Sequence, residues 1–133
     1  MDTLLVCAGS EVKGVELDAG SAGVVHVRFS AACVQRIAPG ALRPAEEGYL
    51  RPLDLVFHGS KIEGDLCAAL GTLAEAELQH RGKPWRQPLL PLRLQGGVSA
   101  ELVFRNGTVL RIEAESASCT PGPGVVFQES LAC

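Results

Sequence analysis

The sequence predicts an all-β domain, and three observations predict it. The first is punctuation: 15 glycines and 8 prolines in 133 residues fall between short apolar runs, the turn-rich rhythm of a small β-protein. The second is alternation with a period of two, as in Val25, Val27 and Phe29 set against His26, Arg28 and Ser30. The third is an Asn-Gly turn signal, Arg105-Asn106-Gly107-Thr108, between Ala100, Leu102, Phe104 and Val109, Leu110, Ile112, Ala114. Together they predict about six to nine short antiparallel strands in a small barrel or two-sheet sandwich. One short helix is admitted near residues 65–72.

The elements follow in order. Met1-Asp2-Thr3-Leu4-Leu5-Val6-Cys7-Ala8 reads as a first strand. It resembles a secretory leader only superficially, because Asp2 stands where a basic region belongs and Gly9-Ser10 end the apolar stretch too soon. Val12, Val15 and Leu17 mark strand around residues 11–18, and Asp18-Ala19-Gly20-Ser21-Ala22-Gly23 is a turn. The strand carrying Val25, Val27 and Phe29 extends through Val34 and Ile37. Residues 38–48 read as a loop around Pro39-Gly40. Leu53, Leu55 and Phe57 form the next strand, and His58-Gly59-Ser60-Lys61 turns the chain toward Ile62.

Residues 65–80 fit two strands better than a helix, because Ala74, Ala76, Leu78 and His80 alternate with Glu75, Glu77 and Gln79. The alternative over 65–70 is a helix capped by Asp65. Arg81-Gly82-Lys83-Pro84 closes that segment as a turn. Leu89, Leu90, Leu92 and Leu94 are interrupted by Pro88 and Pro91, which marks an edge strand, since proline donates nothing to a ladder. Gln95-Gly96-Gly97 reads as a further turn. Thr120-Pro121-Gly122-Pro123-Gly124 is a rigid loop before a last strand at Val125-Val126-Phe127.

The length suits one domain, and 38 Leu, Ile, Val and Phe residues can build one core. The net charge of −3 gives no sign of a nucleic-acid surface. No apolar run reaches the roughly 18–20 residues that span a membrane as a helix. The expected setting is cytoplasmic, and the residue usage resembles that of small bacterial proteins. Five widely spaced cysteines, Cys7, Cys33, Cys67, Cys119 and Cys133, contain no Cys-x-x-Cys pair and read as free thiols, several of them buried.

Candidate sites are few. His26, His58 and His80 show no metal-ligand spacing, so no metal or other cofactor is expected. No phosphate-binding glycine loop is present, because Gly20-Ser21-Ala22-Gly23 lacks the following lysine and helix. Glu75 with Glu77, and Glu113 with Glu115, are acidic pairs on one face of a strand, suited to a basic protein partner. Trp85 and Arg86 lie in a turn flanked by cations, in the manner of an interface hot spot, and Tyr49 stands in a comparable position after a loop.

The expected function is a non-enzymatic protein-interaction module, such as an adaptor, an immunity-type inhibitor or an assembly subunit. Its partner-binding residues are Trp85, Arg86, Glu75, Glu77 and Tyr49, and its partner is another protein, with neither nucleic acid nor membrane. The edge strand near residues 89–94 also points to a homodimer. The alternative is a barrel that binds a small molecule in an interior lined by Phe29, Phe57, Leu78, Leu102 and Phe104. A third reading is a thiol enzyme built on Cys67 with His58 or His80 as base. Against it, Leu66, Ala68 and Ala69 point to a buried, structural Cys67.

Overall fold

A computed structural model describes residues 2–130 of the chain. Two long antiparallel strands organise it, β1 (Asp2–Leu17) and β2 (Val25–Ile37). They are followed by β3 (Glu46–Arg51), β4 (Leu53–His58), β5 (Lys61–Glu63), a single 3₁₀ turn (Leu66–Ala68), β6 (Gly71–His80) and β7 (Lys83–Pro84). Then come β8 (Leu89–Leu90), β9 (Leu92–Phe104), β10 (Val109–Cys119) and β11 (Val126–Glu129). Strands β1, β2, β4, β10, β9 and β6 pair in that order, and β6 returns to β1, which closes a six-stranded antiparallel barrel. The expected all-β class is therefore present in its barrel form, with more strands than the alternation predicts.

The remaining strands extend this barrel. Strand β2 pairs with β4 over Val25–Phe29 and with β3 over Ala32–Arg36, so β3 and β4 lie end to end on one edge with Pro52 at the corner. Strand β11 pairs with β3 and ends the sheet on that side, while β8 pairs with Thr3 and Leu4 of β1 and ends it on the other.

Bulges explain why predicted breaks are continuous strands. The ladder between β1 and β2 shifts register between Val6 and Glu11, where Gly9 adopts a left-handed φ of 87° that a side chain would strain. Ser10 is fully buried there. Its hydroxyl donates to the Val6 carbonyl at 2.8 Å and accepts the Cys33 amide at 2.8 Å, which satisfies the backbone that the bulge unpairs. Gln95-Gly96-Gly97 is likewise a bulge and not a turn: β9 runs through it, with Gln95 opposite Ser116 and Val98 opposite Ala114.

The Asn-Gly signal marks a real hairpin between β9 and β10. Only Gly107 has a positive φ (91°), and the Phe104 amide donates to the Thr108 carbonyl at 2.9 Å, so the loop has three residues rather than two. Three expectations need correction. Only residues 81–82 turn the chain after β6, because Lys83 and Pro84 pair with His80 and Gln79 as β7. Residues 46–48 are strand, not loop, because Glu46, Glu47 and Gly48 pair with Arg36, Gln35 and Val34. Residues 65–70 are neither strand nor α-helix: Asp65 accepts the Cys67 amide at 3.0 Å and caps the 3₁₀ turn, and β6 starts at Gly71.

The interior is one contiguous core that includes Phe29, Phe57, Phe104, Leu55, Leu102, Leu110 and Ile112, each at most 2% exposed. Each such side chain contributes roughly 1.5–3 kcal/mol by leaving water. No helix among the described residues is long and apolar enough to cross a membrane.

Candidate functional site

The barrel is hydrogen-bonded unevenly around its girth. Its weakest seam lies between β1 and β6, where only Glu11–Thr72 and Val12–Gly71 are paired. Beyond Thr72 both strands depart from regular geometry: β1 through its bulge up to Glu11, and β6 through a register shift between Leu73 and Glu75. On its other edge β6 pairs with β9 as far as His80. Farther along the open edge, the β7 hairpin returns to Gln79 and His80, and the Trp85 amide donates to the Leu78 carbonyl at 2.7 Å. Among the described residues, Leu73 and residues 75–77 therefore have ladder partners on the β9 side only, and Ala74, inside the register shift, has none.

A trench of about 580 Å³ runs beside this open edge. It is lined by Ala8 of β1, by Ala74, Glu75, Ala76, Glu77 and Leu78 of β6, by Arg86, and by Glu101 and Val103 of β9. Three of the predicted partner residues, Glu75, Glu77 and Arg86, thus meet at one place. Alternation sets Glu75 and Glu77 on the outer face of β6 and Leu78 inside, and the register shift between Leu73 and Glu75 lets Leu73 be buried although it has the parity of the glutamates.

The hairpin register adds a third carboxylate by setting Glu101 directly opposite Glu77. Like charges so placed repel. The repulsion is partly relieved, because Arg111 Nε donates to Glu101 at 2.8 Å and Gln79 donates to Glu77 at 3.0 Å. Glu101 escapes sequence reasoning because the signal for it is a cross-strand register, not a local pattern.

Trp85, 37% exposed, does not line this trench; it precedes Arg86, which does. Its ring meets His80 edge-on, with centroids 6.0 Å apart. Tyr49 does not join the group. It lines a separate groove of about 310 Å³ with Glu11, Cys33, Gln35, Glu47, Thr72 and Arg105, among others. There the Thr72 hydroxyl donates to the Glu11 carboxylate.

A second charged surface was not anticipated. Two adjoining grooves of about 430 and 600 Å³ share Lys13, Phe29 and Pro52. The first also holds Arg28 and Asp54, and the second holds Arg51 with Val126 and Gln128 of β11. Arg28 is held by Glu16 at 2.9 Å and Asp54 at 3.3 Å, and Arg51 donates to the Gln128 side-chain oxygen at 2.7 Å. Lys13 is the extra residue of a bulge between Val12 and Gly14, so it is exposed and has no ion pair among the described residues.

The other predicted sites take their places around these surfaces. Phe29, Phe57, Leu78, Leu102 and Phe104 are 0–4% exposed members of the single core, so their side chains fill the interior they were expected to line. Cys67 is exposed rather than buried, because the 3₁₀ turn that carries it buries none of its residues. Neither His58 nor His80 is hydrogen-bonded to it: the His80 imidazole meets the Gln95 carbonyl at 2.8 Å, and His58 closes β4. His26 instead lies on β2, 3.4 Å from an Asp18 oxygen.

Cys7, Cys33 and Cys119 are buried, and burial pushes both the Cys7 and the Cys119 thiol up to about 12. Cys133 lies outside the described residues. The chain matches no protein-family model, no curated protein and no solved structure, so a functional reading has to rest on its own surface.

Proposed function

We propose that this chain is a non-enzymatic protein-interaction module that takes an extended segment of a partner along β6 by strand addition. The carrying observation is the open edge at residues 74–77, lying beside a trench. An unpaired strand edge offers amide donors and carbonyl acceptors in the spacing that another strand needs. β6 contains no lysine or proline; its edge charges are Glu75 and Glu77, which exclude an acidic or neutral strand more than a cationic one. Glu75, Glu77 and Glu101 favour cationic side chains on the incoming segment, and the Trp85 amide, bonded to the Leu78 carbonyl, ends the open stretch. The filled barrel core supports an outer-surface role over a ligand cavity.

The test uses three short synthetic peptides: alternating valine and lysine, the same with glutamate for lysine, and the first N-methylated at every other amide. Fluorescence anisotropy should show binding of the first alone. Glu75→Lys with Glu77→Lys should weaken it about tenfold, the effect of roughly 1.4 kcal/mol spread over two rim charges. Equal binding of the N-methylated peptide, or binding of none, would overturn the reading.

A further inference from the structure

We infer that the groove holding Tyr49 is a binding site for a free basic amino acid, lysine or arginine, independent of the strand-addition surface on β6. The groove has a volume of about 310 Å³ and is lined by β1, β2 and β3 together with Thr72 and Arg105. It lies over a break in the burial pattern. Ala32, Cys33 and Val34 follow one another and are each at most 5% exposed, yet successive side chains of a strand point to opposite faces. Ala32 and Val34 belong to the core and Cys33 does not, so Cys33 is covered on the outer face. The β1 bulge helps to cover it, since a Cβ at Gly9 would lie 3.6 Å from the sulfur.

Register places the charges around this point. Val6, Cys33 and Tyr49 stand opposite one another across β1, β2 and β3 and form a largely apolar floor. Two residues along β2 in one direction, Gln35 lies opposite Glu47; two residues in the other, Ala31 lies opposite Glu11. Alternation puts all of them on the outer face. Glu47 and Glu11 therefore stand at opposite ends of the floor, about four residue rises along the strands and two strand spacings across them, roughly 13 and 10 Å. Glu11 also pairs with Thr72, whose hydroxyl donates to the Glu11 carboxylate and whose carbonyl accepts the Arg105 amide at 2.9 Å. Arg105 thus joins the Glu11 end. Among the described residues neither Glu47 nor Arg105 forms an ion pair, so both charges are open to a ligand.

The two ends ask for different groups. An α-amino-acid head supplies an ammonium for Glu11 and the Thr72 oxygen, and a carboxylate for the Arg105 fork. The floor suits the methylene stem of a long side chain, and Glu47 with Gln35 suits a cation at the tip of that stem. Glu11, Glu47 and Arg105 together carry one negative charge, which matches the single positive charge of lysine or arginine at neutral pH. An apolar amino acid would leave Glu47 without its partner.

Isothermal titration calorimetry of the intact chain tests this with five probes: L-lysine, L-arginine, norleucine, cadaverine and aminocaproate. The last three lack the side-chain cation, the carboxylate and the α-ammonium in turn. Lysine or arginine should bind, and each of these three should bind about tenfold or more weakly, as the loss of one charged hydrogen-bonding group predicts. Glu47→Gln should abolish the preference for lysine over norleucine, and Arg105→Gln the preference for lysine over cadaverine. A circular dichroism melt close to that of the unaltered chain shows that both variants fold, and the probe series on the unaltered chain stands without them. Failure of both amino acids to bind, or norleucine binding as tightly as lysine, overturns the inference. Glu75→Lys with Glu77→Lys should leave lysine binding unchanged, which separates this site from the strand-addition reading. Lysine binding that vanishes in that variant would place the amino acid in the β6 trench and overturn the assignment.

Discussion

Ser10 shows how much one polar atom decides in this fold. A buried serine in an apolar strand looks like an error until its partners are seen: it donates to Val6 and accepts from Cys33, both at 2.8 Å. Its hydroxyl replaces the ladder bonds that the β1 bulge gives up, and that bulge helps to hold β1 away from β6. Ser10→Ala removes the acceptor of a buried amide and the donor to a carbonyl. It should cost about 1–3 kcal/mol, read from urea denaturation midpoints. An unchanged midpoint would show that water or backbone movement replaces the hydroxyl. Nothing in the local sequence marks this role, since Cys33 lies on another strand.

Among the elements, β11 is the most separable. It is four residues long, pairs with β3 alone, and is seated by the close approach of Phe127 to Gly48. A Cβ at position 48 would overlap the Gln128 carbonyl oxygen and come within 2.9 Å of the Phe127 ring. Gly48→Ala should therefore release β11 and leave the barrel intact. Hydrogen exchange should show protection lost at 126–129 and kept at 100–104. Retained protection at β11 would mean that β3 shifts to admit the methyl group. The sequence marks β11 as a strand through Val125-Val126-Phe127, but its partner β3 reads as loop. Glutamate and glycine are poor strand formers, and β3 is held by pairing on both sides rather than by propensity.

For the whole molecule, stability is tied to alkaline pH through Cys7 and Cys119. Burial is the first cause of both shifts, and for Cys119 the charges of Cys7 and Asp54 add to it. Each folded-state thiol holds its proton to about pH 12, whereas the unfolded chain releases it near 9.0. A raised folded-state pKa stabilises fully below the unfolded value, and that contribution is lost as pH rises through the window between the two. The denaturation midpoint should fall between about pH 9 and 12. It should fall less in a chain carrying Cys7→Ala and Cys119→Ala, compared at each pH with its own value at neutral pH. Parallel declines in the two proteins would show that other groups control the alkaline limb.

The sequence by itself determined the all-β class, the long strands β2 and β10, the Asn-Gly hairpin and the apolar residues of the core. It also singled out the Glu75–Glu77 pair and, separately, Trp85 with Arg86, and set Tyr49 beside them. These are legible because alternation, turn residues and burial are local consequences of side-chain chemistry. Only the tertiary structure decided that Gly9 and the Gly96-Gly97 pair bend strands instead of ending them, because a glycine permits a bulge and a turn equally and the partner strand selects between them. Likewise, only the closed barrel sets Glu101 against Glu77, separates Tyr49 from Trp85, and leaves β6 open at 74–77. Those features arise from register between residues far apart in the chain, and a one-residue slip would reverse every face.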